Sequence, residues 1–357
     1  MLISAFGIHT GGGANLLDEL VEAIDDEPVS LVLDSRYRHP VRVGRASYVP
    51  AKLWARLATL IRLGSYAEGH DVLLCLNGLP PLFRSPAYTI CYFHAPYLAR
   101  TPEHVVYRWQ TRVRFALERL LLRLGRHNLD EIWVQTPATA RDAETIAKGT
   151  PVTIAPFVPA SLAAELRNPQ IPEERGDFFY YPADNLQHKN HARLLKAWKM
   201  LAEVDITPPL VLTVTPTQLT EIAREAAVDL TQLTHVTAQR TSYATVQHNF
   251  LTCRALIFPS LAETYGLPQL EAVAVGAPII ASERDFVRDV CSPVESFDPE
   301  SVTSIARAVR RFLGREDPPT LPADGKSFLA ALREAGRRKG GTRFADTSVH
   351  PPMLRKL

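Results

Sequence analysis

The segment ALIFPSLAETYGLPQLEAVAVGAPIIAS, residues 255–282, contains a complete strand–loop–helix–strand unit. Ala255–Pro259 is continuously apolar, as expected of a parallel strand buried on both faces, and its exit loop runs to Leu267. Pro268 suits the first helical position, where its missing N–H costs nothing. Because a second apolar run follows near 278–281, the segment predicts a parallel α/β sheet that binds ligands where its strands end.

The same alternation extends along nearly the whole chain. In the first half we expect strands at Leu2–Phe6, Ser30–Leu33, Asp71–Leu76, Tyr88–Phe93, Ile132–Gln135 and Val152–Pro156, and helices near 14–25, 50–63, 104–126 and 137–147. In the second half we expect strands at Phe178–Tyr181 and near 210–214, 234–237, 254–258 and 278–281, and helices near 190–203, 216–227, 299–314 and 325–338.

A polar segment with two prolines, residues 161–177, separates the two series. The chain therefore predicts two doubly wound, Rossmann-like α/β domains that face a central cleft. We place the first domain at 1–165, a linker at 166–176, the second domain at 177–340 and a basic tail at 341–357.

The composition is that of a soluble globular protein, with 357 residues and a formal net charge of +2. This charge gives no global attraction to nucleic acid. Four cysteines without a CxxC pair argue against a zinc site or a disulfide framework and suit a reducing cytosol. With no signal-peptide pattern and no long apolar run, we expect a cytoplasmic protein that at most lies peripherally on the inner face of the cell membrane.

The opening segment carries two carboxylates, Glu263 and Glu271, around its turn. Backbone amides at Gly266–Gln269 would form an anion site at a helix N-terminus. A carboxylate accepts two hydrogen bonds from adjacent hydroxyls, as a ribose or hexose offers. Amides that bind phosphate, together with carboxylates that bind diols, favour a nucleotide sugar as the ligand. Alternatively, Glu271 only complements the helix dipole, which leaves Glu263 and the glycine–proline turn unexplained.

Residues 258–282 resemble the E-x7-E signature of family 4 glycosyltransferases, retaining enzymes of the GT-B fold. The resemblance implies that Glu263 contacts the donor sugar and that Glu271 holds the ribose hydroxyls. It also implies that the backbone of Tyr265, Gly266 and Leu267 approaches the sugar and the diphosphate.

A second motif is YYPADNLQHKNHARLLKAW, residues 180–198, where Lys189 and Asn190 precede an amphipathic helix. Lys189 there can place a compact positive charge on a diphosphate, and the family has a lysine at this place. Without that context, a lysine at a helix start is usually a solvated charge. The family often has an arginine six residues earlier, where this chain has Ala183, so the usual two-cation clamp is incomplete. The substitutes left open are Asn185, His188, Asn190 and Arg193.

Gly11, Gly12 and Gly13 lie between the first strand and the first helix, where they let the backbone approach a ligand closely. The resemblance implies a glycine-rich loop near the donor phosphates. The alternatives are a plain structural turn and a dinucleotide-binding loop, since Asp34 ends the second strand as a ribose-binding acid would. The glycines, however, lack the G-x-G-x-x-G order.

His94 follows the strand in TICYFHAPYLAR, residues 89–100, and should project into the cleft. The resemblance implies that this histidine contacts the donor sugar near the reacting centre. The alternative is a buried histidine bonded by the backbone.

Two regions of the first domain are strongly basic. Residues 35–67 hold six arginines and one lysine without an acid, and five arginines of the helix 104–126 fall within about 60° of one another. A basic stripe beside apolar residues suits anionic lipid headgroups or an acceptor carried on a lipid diphosphate. A solvated helix face is the alternative.

The sequence thus predicts a retaining, metal-independent hexosyltransferase with Glu263, His94 and Lys189 as catalytic residues. No metal or cofactor is expected, since Asp25–Asp26 lie at a helix end and not in a metal-binding loop. The donor would be a nucleotide-diphosphate sugar, GDP-mannose before a UDP sugar. The acceptor would be a glycan or lipid-linked chain of a bacterial surface polysaccharide or lipopolysaccharide. An NAD(P)-dependent oxidoreductase and a catalytically idle nucleotide-sugar-binding protein remain as alternatives.

Overall fold

The computed structural model describes residues 1–24, 28–41, 45–99, 105, 107–239, 242–315, 322 and 324–341. Residues Met1–Val309 form one compact unit, and the chain from Arg310 onward forms another, so the two are described separately. Both β-sheets belong to the first unit.

The first sheet is parallel, with strand order β3-β2-β1-β4-β5-β6-β7. Its strands are β1 Leu2–Ala5, β2 Ser30–Asp34, β3 Arg45–Val49, β4 Val72–Cys75, β5 Tyr88–Phe93, β6 Glu131–Val134 and β7 Val152–Ile154. The helices of this half are α1 Gly11–Glu22, α2 Leu53–Tyr66, α3 Pro96–Ala99, α4 Trp109–Gly125, α5 Pro137–Ala147 and α6 Ala160–Arg167.

Each face of this sheet is covered by its own hydrophobic core. On one face Leu17 of α1 packs with Leu31 and Leu33 of β2. On the other face α2, α4 and α5 share a second core, which includes Leu60 and Leu122. Burial on both faces explains why the inner strands are apolar at successive positions.

The second sheet is also parallel, with order β10-β9-β8-β11-β12-β13. Its strands are β8 Phe179–Tyr181, β9 Leu210–Leu212, β10 Val236–Ala238, β11 Ala255–Phe258, β12 Ile279–Ser282 and β13 Glu295–Phe297. The helices are α7 His191–Ala202, α8 Pro216–Ala226, α9 Tyr243–Thr252, α10 Leu267–Ala274, α11 Asp285–Arg288 and α12 Val302–Phe312, and α13 Gly325–Gly341 follows in the second unit. Because β8 and β11 are neighbours from which the chain winds in opposite directions, the loops after these two strands meet.

The predicted fold class is confirmed: two parallel sheets, each flanked by helices. Some elements differ from expectation. Strand β3 was not expected, because four of its five residues are exposed at the sheet edge and carry no apolar run. The expected linker segment 161–177 begins inside α6, whose Leu162 is buried against α10. Strand β13 was also not expected.

The ends of several helices also shift. Helix α1 begins at Gly11, so the glycines belong to its first turn, and α4 begins at Trp109. The expected helix start at 104, the Asp25–Asp26 pair and the tail beyond residue 341 lie outside the described residues. The proposed domain boundaries stay a prediction.

Candidate functional site

The loops that follow β8 and β11 are joined by a buried ion pair. The Nζ atom of Lys189 lies 2.6 Å from Oε1 of Glu263, with the two side chains 15% and 11% exposed. The hydroxyl of Tyr181 donates to the carbonyl of Lys189 at 2.8 Å and lies 3.0 Å from Oγ of Ser260. Two residues that the sequence predicts as catalytic are therefore in direct contact at the carboxyl edge of the sheet.

Opposing effects set the pKa values of Glu263 and of the neighbouring His188. Burial by itself would raise the pKa of Glu263, but the positive charge of Lys189, the His188 imidazole and a hydrogen bond from Ser260 together hold that pKa below its usual value. Burial lowers the pKa of His188, an effect that Glu263 opposes and Lys189 reinforces. Glu263 is thus a carboxylate at neutral pH, able to accept hydrogen bonds from hydroxyls.

Asn190 fixes the loop that carries Lys189. Its backbone is left-handed, with φ of 63°, and its side-chain amide donates to the carbonyls of Pro259 at 3.0 Å and Pro299 at 2.8 Å. Its Oδ1 atom accepts from Arg193 at 3.0 Å. Asn190 therefore holds three segments together in this structure, and a direct contact with the donor stays a prediction. Ala183, in the arginine position, is 6% exposed.

The turn before α10 requires its glycine. Gly266 has φ of +73°, and a Cβ atom there would lie 2.3 Å from Nε2 of Gln269. The helix begins at Leu267 and Pro268 is its second residue, one position later than expected. The side chains of Tyr265 and Leu267 pack against a small core that contains Leu162.

Glu271 lies in a different environment from Glu263. It lines a cavity of about 430 Å³ between α6, α9 and α10, together with Glu165 and Gln247. Burial, reinforced by the negative charge of Glu165, raises the pKa of Glu271 to about 7. The lining of this cavity includes neither Lys189 nor Glu263, so the ribose contact of Glu271 stays a prediction.

Groups from the first sheet reach the Glu263 loop. The hydroxyl of Thr264 donates to the carbonyl of His94 at 3.1 Å. A Cβ atom on Gly13 would lie 2.9 Å from Nε2 of His94, so the glycine loop and this imidazole are in contact. Burial lowers the pKa of His94, and backbone hydrogen bonds oppose this shift only in part. The ring is therefore neutral at pH 7. The structure thus brings Gly13 into contact with His94, and His94 into contact with Thr264, the residue after Glu263.

Gly11 and Gly12 differ from Gly13 in having open space around them. Gly11 has φ of +72°, and a Cβ atom on either residue would have no neighbour within 4 Å. Both residues open α1, whose preceding residue Thr10 makes no side-chain capping bond. Their donor contact stays a prediction.

Asp34, the acid that could bind the ribose of a dinucleotide, already accepts hydrogen bonds from other residues. Asp34 is fully buried and accepts from the amide of Gly7 at 3.0 Å, from Nε of Arg36 at 2.8 Å and from Arg56 at 3.2 Å. Burial alone would raise the pKa of Asp34, but the hydrogen bonds from Arg36 and Gly7 and the Arg36 charge lower it well below its usual range. This arrangement disfavours the oxidoreductase alternative.

Several residues at the site were not expected from sequence. Tyr107 lies close enough to Glu263 that burial and this carboxylate raise the pKa of the phenol to about 12. Two further contacts join the halves, from the amide of Ala138 to Asp289 at 2.7 Å and from Arg141 to Asp285 at 2.8 Å. The motif around Lys189 points to Tyr181 and His188, but no local pattern marks Tyr107.

In the described part of the chain, no group of three or more His, Cys, Asp or Glu side chains is arranged to hold a metal ion. No described helix is both long and apolar enough to span a bilayer.

Residues 164–326 match the family model described as glycosyl transferases group 1, which covers the second sheet and the site loops. No curated protein matches the sequence. Among solved structures, a sucrose-phosphate synthase from Thermosynechococcus elongatus has 17% identity and a TM-score of 0.62, with 88% of this chain and 90% of that chain covered.

Two further structures share the fold. WaaG, a glycosyltransferase involved in lipopolysaccharide biosynthesis, has 14% identity and a TM-score of 0.62, over 96% of this chain and 95% of that chain. Anabaena HepE in complex with UDP and glucose has 14% identity and a TM-score of 0.60, over 87% of this chain and 89% of that chain. These likenesses establish the GT-B fold for the chain.

Proposed function

We propose that this chain is a retaining glycosyltransferase that moves a hexose from a nucleotide-diphosphate sugar to a glycan or lipid-linked acceptor. One observation carries the proposal. The Lys189–Glu263 pair, 2.6 Å apart, lies beside the N-terminus of α10, inside the segment that matches glycosyl transferases group 1. A cation and helix amides suit a diphosphate, and a carboxylate suits sugar hydroxyls.

In the proposed reaction the bond from the sugar C1 atom to the diphosphate breaks, and its electron pair leaves on the diphosphate oxygen. Lys189 and the first amides of α10 stabilise this charge without a metal ion, and such stabilisation is usually the largest catalytic term. The acceptor oxygen bonds to C1 from the face that the diphosphate leaves, and its proton passes to the departing diphosphate. Glu263 anchors the ring hydroxyls.

His94 would orient the reacting face of the sugar. Its ring is neutral, so it can donate one hydrogen bond to a hydroxyl and accept another. Its contact with Gly13 and its link to Thr264 place it where both halves of the molecule meet. Closure of the halves around the donor would exclude water and limit hydrolysis.

For the donor we favour GDP-mannose, with a UDP hexose next; the structure of HepE with UDP and glucose supports the second choice. The acceptor we propose is a bacterial surface polysaccharide or lipopolysaccharide chain, which the likeness to WaaG supports.

We further propose that the enzyme works at the cytoplasmic face of an anionic membrane. Helix α4 has two apolar faces, of which one, with Phe115 and Leu122, is buried. The other exposes Trp109 at 71% and Leu124 at 59%. Exposed arginines flank that second face: Arg108, which precedes the first residue of the helix, and Arg112 and Arg123 within it. Exposed aromatic and aliphatic groups beside arginines complement anionic lipid headgroups.

The proposal is tested by thermal-shift measurements with nucleoside diphosphates and nucleotide sugars, followed by assays for nucleotide release. We expect stabilisation by one nucleotide, turnover by the wild type, and folded but inactive Lys189→Ala and Glu263→Ala variants. Nucleotide binding without release in the presence of acceptors would instead support the idle binding protein. A response to NAD(P) alone would support the oxidoreductase.

A further inference from the structure

The loop that carries Glu263 is attached to the first half of the molecule through the next residue, Thr264. The hydroxyl of Thr264 donates to the carbonyl of His94 at 3.1 Å, and the Thr264 carbonyl accepts from the hydroxyl of Thr139 at 3.5 Å. The first bond reaches the residue after β5, and the second comes from the first turn of α5. Thr264 thus contacts two elements of the first half, while its chain neighbour Glu263 contacts Lys189.

These bonds belong to a row of buried threonines, Thr136, Thr139 and Thr264, which are 1%, 7% and 8% exposed. The Oγ1 atoms of Thr136 and Thr139 lie 2.9 Å apart, and Thr136 also accepts from the amide of Thr139 as the N-cap of α5. Because little water reaches these positions, a broken bond leaves a buried polar group unpaired. The threonine row therefore restricts displacement of the Glu263 loop relative to the first half.

Other contacts between α5 and the second half lie at the surface. The side chains of Arg141 and Asp285 are 58% and 79% exposed, and the bond from the Ala138 amide to Asp289 is exposed as well. Exposed contacts of this kind are screened by water and constrain geometry weakly. The buried threonine row is therefore better suited to set the position of the loop.

We propose that Thr264 is a positioning residue, which aligns Glu263 with His94 across the two halves. This inference rests on the proposed function and deepens it: Glu263 would hold the donor sugar while His94 orients its reacting face. A misplacement of about 1 Å can lower a rate by on the order of a hundredfold. Since other groups bind the nucleotide, loss of the Thr264 hydroxyl should reduce turnover and leave nucleotide affinity unchanged.

The test compares Thr264→Val and Thr264→Ser with the wild type and with Thr59→Val as the matched control. Thr59 is also 8% exposed, and its hydroxyl also donates to a backbone carbonyl, that of Ala55 at 2.9 Å within α2. Valine replaces the hydroxyl by a methyl group, whereas serine keeps the hydroxyl. Nucleotide release is measured from GDP-mannose and from UDP-glucose, without acceptor and with bacterial lipopolysaccharide. Calorimetry gives the Kd of GDP and of UDP.

For Thr264→Val we expect kcat to fall by on the order of tenfold to a hundredfold, with the Kd of the nucleotide within about twofold of the wild type. A larger share of the donor should be hydrolysed and not transferred, because a misaligned site admits water. Thr264→Ser and Thr59→Val should retain the wild-type kcat. Thr139→Val, which removes the bond to the Thr264 carbonyl, should lower kcat in the same way. The double variant Thr139→Val/Thr264→Val should lose less than the product of the two single effects.

The inference is wrong if Thr264→Val has the kcat of Thr59→Val, if Thr264→Ser is as impaired as Thr264→Val, or if nucleotide affinity falls together with kcat. Each of these results leaves the transferase proposal intact. If circular dichroism shows that Thr264→Val does not fold, Thr139→Val decides, and a kcat equal to that of Thr59→Val rejects the inference. A wild type that releases no nucleotide from either donor would reject both proposals.

Discussion

The substitution Lys189→Ala isolates the ion pair on which the site depends. It leaves the Glu263 carboxylate, 11% exposed, without its cation. Removing one partner of a buried pair typically costs about 3–5 kcal/mol, and partial exposure places this pair near the lower end. We therefore expect a loss of about 3 kcal/mol in the free energy of unfolding at pH 8.

The destabilisation caused by Lys189→Ala should decrease as the pH is lowered. In the wild type the pKa of Glu263 is below its unfolded value, so the pair stabilises the fold above about pH 4.3 and this stabilisation is lost as the pH decreases. In the variant burial dominates and the Glu263 pKa rises above the unfolded value. The variant therefore loses stability as the pH increases through that range, and the difference from the wild type grows from pH 4 to pH 8.

Denaturant unfolding at pH 4, 6 and 8, analysed by midpoint and slope, measures this difference. The control is Lys189→Ala combined with Glu263→Gln, which removes the buried charge and should recover part of the loss at pH 8. A cost that is the same at pH 4 and pH 8, or one below about 0.5 kcal/mol throughout, would refute the assignment of a buried, coupled pair.

Three further predictions concern other residues of the account. Gly13→Ala places a Cβ atom 2.9 Å from Nε2 of His94 and should reduce kcat by on the order of tenfold, whereas Gly325→Ala, the control at the start of α13, meets no atom within 4 Å and should match the wild type. Equal kcat values for the two variants would contradict the contact. Glu271→Gln should stabilise the protein by about 2 kcal/mol at pH 8 and little at pH 5. The pKa of Glu271 is higher in the folded than in the unfolded protein, so the wild-type fold loses stability as the pH increases toward and through about 7. Denaturant midpoints at both pH values measure this difference. Trp109→Ser should weaken sedimentation with anionic vesicles several-fold without changing turnover of a soluble acceptor; equal wild-type binding to zwitterionic vesicles would contradict the role of charge.

The main helices and strands, and a site shared by Lys189 and Glu263, could be predicted from the sequence. The apolar run at Ala255–Phe258 and the glycine–proline turn placed β11 and α10 within a few residues of their bounds. The position of Lys189 before an amphipathic helix, taken with the family resemblance, predicted a shared site with Glu263. These features are local in sequence, and parallel topology brings the ends of neighbouring strands together.

Other features depend on contacts that no local pattern encodes. Helix α4 is apolar on two faces, so its periodicity could not show that Leu122 is buried and Leu124 exposed. The pKa of Glu271 is raised because α6 lies across α10 at this side chain. The sequence predicts a linker, and not a helix, where α6 lies. Tyr107 approaches Glu263 only because the two halves of the molecule meet.

The most direct test of the central claim is a structure determined with a bound nucleotide-diphosphate sugar. We predict that Nζ of Lys189 lies about 3 Å from a diphosphate oxygen and that the Glu263 carboxylate accepts hydrogen bonds from the sugar hydroxyls. A nucleotide bound instead with its ribose at Asp34, away from both residues, would contradict the account.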